Sequence, residues 1–321
     1  MNQRVLTCAL AVTLGATFAG CAKTETTTTS SSGTTTATTA ASSKVIGFSV
    51  QNREAQFYQQ LEAGMKTEAE KGGYSVTVVD ASRDNSKQQS QVEDFISQKV
   101  AAIVITPYDS KAIGSAIAEA NKAGIPVFTA DIANASSNGT VVAHIASDNV
   151  QGGGQAAKLM CAALPNKSGA VAVLDEPEVT SVQDRVSGFK AELARSCPNA
   201  KIVADIDGGG ERAKASSATD DILQSHKDLK GVFGINDDSA LGAAKSIQAA
   251  GMAGKVMVVG YDATPEGQAA IKAGTMYGDA IQHPDQIGMK TVDAITDYFA
   301  GKKPAAKIAV EVGTFTKANA K

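Results

Sequence analysis

The stretch VFGINDDSALGAAKSIQAAG, residues 232–251, decides how this chain folds. It opens on a short apolar run of strand length and closes on a small-residue segment with helical spacing, predicting a strand over 231–235 and a helix over 239–249. Between them stand Asn236, Asp237 and Asp238. Short polar side chains suit the start of a helix, and adjacent carboxylates there complement the helix dipole. A strand that passes through a polar turn straight into a helix is half of a βαβ unit, and the pattern continues on both sides. A further strand is predicted over 256–260. Upstream, helix 150–163, strand 170–174, helix 181–195, strand 201–206 and helix 211–225 alternate in the same way.

The first half of the chain carries a separate series. The β-branched runs VIGFSV, SVTVVD, AAIVIT and IPVFTA alternate with helical periodicity. One helix sets Phe57, Leu61, Met65 and Ala69 on one stripe. Another is predicted from an N-cap at Asp109-Ser110, through Ile113 and Ile117, to a stop at Gly124. The pattern restarts after Ile145. Right-handed crossovers turn such series into parallel sheets with helices on both faces. Two series too long for one core predict an α/β fold of two similar doubly wound parallel-sheet lobes. No Pro- or Ser-rich linker separates them, so several chain crossings are expected. Gln51, Asp131, Asp175, Asn236, Asp262 and Gln282 each fall at the carboxyl end of a predicted strand, the edge where open parallel sheets bind ligands. Any one of these could be only a helix cap; six in register predict a cleft.

Composition narrows the function. The 321 residues hold 33 Asp and Glu against 30 Lys and Arg, with no Trp, so no basic face for nucleic acid is expected. Residues 1–20 resemble an export signal, with Arg4, an apolar core from Val5 to Thr17, and small residues before Cys21. Phe18-Ala19-Gly20-Cys21 resembles a bacterial lipobox, whose cysteine is lipidated, although Phe18 stands where Leu is usual. An ordinary signal cleaved nearby is the alternative. Residues 21–43 are almost entirely Thr, Ser and Ala after the first few, a disordered tether that would hold a globular body near a membrane. Cys161 and Cys197 lie near the ends of two predicted helices that flank one strand. In an oxidising envelope they are candidates for a disulfide, and two buried free thiols are the alternative.

Enzyme chemistries find little support. In DIDGGGERAKA, residues 205–215, Gly208, Gly210 and Ala213 have the spacing G-x-G-x-x-A of a dinucleotide cradle. The turn lies midway through the second series, and Asp228 sits before the next strand, not at its end; export also argues against NAD. There is no G-x-S-x-G elbow and no phosphate-binding P-loop. His144, His226 and His283 are far apart and lack metal-ligand spacing. Asp131 and Asp262, facing across a cleft, could imitate a glycosidase pair, but the same carboxylates serve binding proteins as hydroxyl acceptors. No cofactor, no metal and no catalysis are expected.

Three stretches carry a resemblance: HIASDNVQGG (144–153), the opening stretch, and VMVVGYDATPEG (256–267) with IQHPDQIG (281–288). They resemble the periplasmic sugar-binding proteins of ABC importers, of the ribose-binding-like group and the type I periplasmic binding protein fold. The resemblance runs from about Val45 to Val312. It implies a clamp joined by a three-strand hinge, with lobe one at 44–147 plus 283–311 and lobe two at 148–282 plus 312–321. It implies a monomer in the cell envelope, on the extracytoplasmic face, that encloses a monosaccharide-type carbohydrate and presents its closed form to a membrane permease. A sensor that presents the closed form to a chemoreceptor or kinase is the alternative. No helix-turn-helix precedes the domain, which excludes the repressors that share it.

The resemblance assigns Asp131 as an acceptor of sugar hydroxyls, Arg185 as a guanidinium fork, and Asn236, Asp262 and Gln282 as bidentate polar groups. Phe57 and Tyr58 match an aromatic pair, one of which would lie on the apolar face of the ring, with Phe57 the better candidate for plain core. The chain also departs from the group. Ile132 replaces an arginine, Gln51 and Ala55 replace a serine and an asparagine, and Gly210 (or Gly209, if the register shifts) replaces a stacking phenylalanine. Ribose is therefore not assigned; another pentose, a hexose, a deoxy sugar or a polyol would suit a pocket so altered.

Overall fold

The structure, a computed structural model, describes residues 44–320. The export signal, Cys21 and the whole of the tether lie outside the described residues, as does Lys321.

The predicted alternation appears as two six-stranded sheets. In the first lobe β1 (Val45–Val50), β2 (Ser75–Asp80), β3 (Ala102–Ile105), β4 (Val127–Ala130), β5 (His144–Ser147) and β11 (Lys307–Val310) run parallel in the order β11-β5-β4-β3-β1-β2. Helices α1 (Gln56–Lys71), α2 (Asn85–Ser97), α3 (Gly114–Lys122) and α9 (Pro284–Phe299) belong to this lobe. In the second, β6 (Ser168–Asp175), β7 (Asn199–Asp207), β8 (Leu229–Gly234), β9 (Met257–Asp262), β10 (Gly278–Ile281) and β12 (Gly313–Thr316) are ordered β12-β10-β9-β8-β6-β7. Its helices are α4 (Asn149–Ala163), α5 (Thr180–Ser196), α6 (Arg212–Ser225), α7 (Asp237–Ala249) and α8 (Pro265–Ala273). Each sheet has apolar clusters on both faces, such as Phe48 and Phe128 under α1 and α9, and Phe189 stacked on Phe233 at 4.2 Å.

Three short connections join the lobes: Ser147 to Asn149, Ile281 to Pro284, and Val310 to Gly313. The last imposes a correction to the all-parallel expectation. The chain leaves β11 at its carboxyl end and enters the second sheet at the same edge, so β12 runs antiparallel to β10, with Gly313 opposite Ile281. A second correction concerns Asp109. It caps a turn by accepting from the N–H groups of Lys111 (2.7 Å) and Ala112 (2.9 Å), but the helix begins only at Gly114. Its end at Gly124, with φ +79°, is where the sequence puts it. Strands β6 and β9 also reach past their apolar runs, because Asp175 and Asp262 still pair in the ladder, opposite Asp207 and Ile281.

The closest helix contact in the second lobe positions the site. At Gly153 of α4 an added Cβ would overlap the carbonyl of Arg185 on α5, and Gly188 meets the Val150 carbonyl reciprocally. Backbones can approach this closely only where no side chain stands between them. Farther along the same pair, Cys161 and Cys197 have Cα atoms 5.9 Å apart and their sulfurs at bonding distance. The neighbouring Gly154 faces open space, its nearest neighbour for a Cβ being Glu192 at 3.8 Å. Two identical substitutions one residue apart should therefore act in opposite directions. Gly153→Ala is expected to lose about 1–3 kcal/mol through forced overlap, and Gly154→Ala to gain up to about 1 kcal/mol of helix propensity. Thermal denaturation of the two variants checks the sign.

Candidate functional site

The carboxyl ends of β1, β4, β6, β8, β9 and β10 face one another across the lobes and enclose a cavity of about 50 Å³. A water needs roughly 10–15 Å³ by this kind of measure, so the space holds only a few. A larger solute needs more room than the lobes leave between them in this arrangement. Contacts across the cleft hold them together. Thr180 N–H donates to Ser110 Oγ at 3.0 Å, Ala133 N–H to Thr180 Oγ1 at 3.0 Å, and Ser110 N–H to the Glu178 carbonyl at 3.2 Å. Ile132 is buried in the apolar cluster of the second lobe together with Val179 and Val182, and seals the lobes at one side. The site is a closed clamp.

The expected residues Gln51, Phe57, Tyr58, Asp131, Arg185, Asn236, Asp262 and Gln282 all line this cavity, with different degrees of freedom. Asp131 and Asp262 are the most exposed to strain, with φ of +67° and +112°. Non-glycine residues hold such angles at a cost of order 1–3 kcal/mol, and they cluster at functional sites. Both are buried. Asp131 accepts from the Tyr58 hydroxyl at 3.3 Å through Oδ2, while its Oδ1 has no partner. Asp262 accepts from Gln282 Nε2 at 2.7 Å and from the Asp237 N–H at 3.3 Å, which leaves Gln282 Oε1 buried and unpartnered.

Arg185 lies over the ring of Tyr261, 3.7 Å from its centroid, and donates to Asn149 Oδ1 at 2.9 Å and 3.3 Å and to the Ile235 carbonyl. Its fork is thus partly spent on neutral protein groups. Asn236 caps α7 through Ser239 N–H at 2.8 Å and donates to the Gly210 carbonyl at 3.1 Å. Gln51 donates to Glu176 Oε1 at 3.1 Å and accepts from the Tyr58 hydroxyl at 2.8 Å. The amides of Asn236 and Gln51 therefore brace the site. Phe57 and Tyr58 pack edge to face at 5.2 Å; both line the cavity and both belong to the core of the first lobe, so Phe57 is not core alone.

Glu176 and Arg83 are among the lining residues to which the sequence assigns no role. Asp175 was the expected cleft residue of β6, yet its Oδ1 turns back to accept from the N–H of Glu176 at 2.8 Å, and Glu176 is the one that lines the cavity. Arg83 reaches the cavity from a loop in which Ser82 and Arg83 both have positive φ, and its Nε is buried without a partner. The glycine loop at 208–210 is a cleft edge: Gly210 has φ +61°, and a Cβ there would stand 2.5 Å from Glu176 Oε2.

Burial sets the electrostatics. It pushes Asp131 up to about 6 against the pull of Arg185 and the Tyr58 hydroxyl. It pushes Glu176 up to about 7 against Arg83, Gln51 and Arg185, with Asp207 adding to the rise. Asp262 lies well above the carboxylate range through burial and the neighbouring Asp237. A carboxyl raised by folding stabilises most below its unfolded value, near 4.5 for Glu176, and loses that contribution as pH rises through about 7. His144, held at about 4 by burial and Lys307, acts in the opposite direction below its ordinary value. Glu176→Gln removes only the first effect. The melting temperature of the variant relative to the parent is expected to rise from pH 5 to pH 8, by the equivalent of up to about 3 kcal/mol. A flat difference across that range would show that the carboxyl is not buried as described.

Residues 46–303 match the family described as the periplasmic binding protein domain. The ribose import binding protein of Salmonella typhimurium is 36% identical over 260 residues, covering 80% of this chain and 85% of that protein. Among solved structures, an ABC transporter solute-binding protein from Agrobacterium vitis, bound with α-D-tagatopyranose, superposes with a TM-score of 0.81 at 28% identity. That match covers 86% of this chain and 95% of the other. The myo-inositol-binding protein of Caulobacter, bound to myo-inositol, gives a TM-score of 0.79 at 30% identity, over 86% and 94% of the two chains. Two lobes closed over a polar cleft, and a family match across most of the described residues, lead to one statement: this chain belongs to the periplasmic binding protein family, the non-catalytic sugar-binding proteins of ABC importers.

Proposed function

We propose that this protein captures a monosaccharide-type carbohydrate between its lobes and delivers it to the membrane permease of an ABC importer, while a lipid on Cys21 and the tether of residues 21–43 hold it to the envelope. The observation that carries the binding half is the set of buried acceptors without donors, Asp131 Oδ1 and Gln282 Oε1, on a cavity closed from both lobes. Buried acceptors left unpaired cost free energy, and the vicinal hydroxyls of a carbohydrate supply the missing donors. Arg185 carries the charge that strengthens those bonds, Asp262 adds a buried carboxyl, and Phe57 and Ile132 supply apolar surface for C–H groups.

A thermal-shift screen over pentoses, hexoses, deoxy sugars and polyols tests this. A true ligand at about 100 times its dissociation constant adds roughly 2.7 kcal/mol of stability. Asp262→Asn and Arg185→Ala are expected to weaken that ligand by about 1.5–3 kcal/mol, as for lost hydrogen bonds to charged groups, with both lobes still folded by circular dichroism. No shift with any carbohydrate would sink the reading. The anchor has its own test: Cys21→Ala should move the protein from the membrane fraction to the soluble envelope fraction, and unchanged partitioning would remove Cys21 from the account.

A further inference from the structure

The cleft holds more acid than base. Asp131, Glu176 and Asp262 open onto it at 4%, 7% and 7% exposure, and Asp237 stands behind Asp262 with its N–H on Oδ2. Asp237 is itself buried and accepts from Thr264 N–H at 2.7 Å and from the Thr264 hydroxyl at 2.5 Å. Against these stand Arg185 and Arg83, while a third lining cation, Arg212, is paired with the lining carboxylates of Asp238 and Glu266. Arg185 is anchored on neutral groups, and Arg83 is shared with Glu54 at 3.6 Å. The polar atoms are unbalanced in the same direction. Among the cavity-lining residues, Asp131 Oδ1, Asp237 Oδ1 and Gln282 Oε1 are unpartnered acceptors, against the one unpartnered donor Arg83 Nε. Glu176 spends Oε1 on Gln51, and its Oε2 lies against Gly210 at the cavity wall, 2.5 Å from where a Cβ on Gly210 would stand, so only glycine there lets the carboxyl take this place.

Hydroxyls supply donors but no charge. An ammonium supplies three donors and a positive charge, and that charge offsets the burial that holds the Glu176 and Asp131 carboxyls above their ordinary range and favours their ionised form. We propose that Glu176 is a specificity-determining residue of this cleft, and that it selects a carbohydrate carrying a cationic amino group, an amino sugar or amino polyol. This rests on the carbohydrate reading above. Glu176 enters from β6, across the cavity from Asp131 at the end of β4, so the selective charge comes from the lobe opposite the one that carries Asp131.

Titration calorimetry at neutral pH on matched pairs tests it: D-glucose with D-glucosamine, D-galactose with D-galactosamine, D-glucitol with 1-amino-1-deoxy-D-glucitol, and glycerol with 2-amino-1,3-propanediol. In the pair that fits the cleft, the amine is expected to bind at least about tenfold more tightly, the scale of one charge-assisted hydrogen bond. Glu176→Gln, which keeps the shape and the contact to Gln51, should bring that ratio close to one. Equal or tighter binding of the neutral member by the parent protein overturns the inference and leaves the carbohydrate reading standing. Binding by neither member of any pair, with no response in the wider carbohydrate screen, overturns both. A preference that survives in Glu176→Gln removes Glu176 from the selecting role, and the comparison on the parent protein stands whether or not the variant folds.

Discussion

Everything in this molecule follows from where the chain passes between its lobes. All three connections are made at the carboxyl edges of the sheets, after Ser147, Ile281 and Val310. Because the strands within each lobe are otherwise parallel, that choice turns the carboxyl ends of both sheets toward one cleft. Side chains from six strands then meet in a single cavity. It also fixes the one antiparallel strand among the described residues, since a chain entering the second sheet from the cleft side can only run away from it. The connections are one to two residues long, and the first is tied to the third by the Asp148 N–H on the Val310 carbonyl at 3.1 Å. Such a bundle permits the lobes to rotate as rigid bodies and resists independent sliding, which is the geometry of hinge closure.

The architecture was legible because it is written in local periods. Strand and helix repeats differ, and a chain that alternates between them has few ways to bury both. The site was legible to the extent that position alone decides it. Asp131, Asp262 and Gln282 sit at strand ends, and the structure puts all three on the cavity. What stayed hidden is side-chain bookkeeping. Asn236 and Gln51 also sit at strand ends, but their amides are consumed by Ser239, Gly210, Tyr58 and Glu176, and no pattern in the sequence reports that. The one-residue exchange of Asp175 for Glu176 comes from a side chain folding back on its own backbone. Arg83 depends on two successive positive-φ residues, neither of them Gly or Asn, so the usual signal for that turn is missing.

Strain and burial coincide at the two cleft aspartates. Asp131 and Asp262 combine positive φ with buried carboxyls raised above their ordinary range, so backbone and solvation both oppose their placement. Neither cost is local to a weak part of the structure. Ala130 and Tyr261, which precede them, are fully buried in the cores of their lobes, and each aspartate is held by packing it does not itself supply. A site assembled in this way has met its ordering cost before the ligand arrives. Donors that relieve the carboxylates then appear almost entirely as affinity, the advantage of a preorganised site.

Gly210 and Glu176 show how such a cleft changes what it discriminates. A ring stacked on a sugar rewards any ligand with an apolar face, because dispersion and burial are tolerant of small differences in substitution. Here the position carries no side chain, and a buried carboxylate oxygen lies against it. A carboxylate rewards only a ligand that brings a donor to it, and a ligand without one leaves it desolvated and unpaired. Rejection by an unpaired buried polar group is far steeper than rejection by a lost apolar contact, which is worth only about 1–3 kcal/mol per methylene. A cleft with a carboxylate in place of a stacking ring would therefore give up some general affinity for carbohydrates and sharpen the distinction among them. On the other side of the cavity Ile132 closes an apolar seam against Val179 and Val182, so that wall offers a ligand no charge, and any charge-based selection would have to come from the acidic side of the cleft.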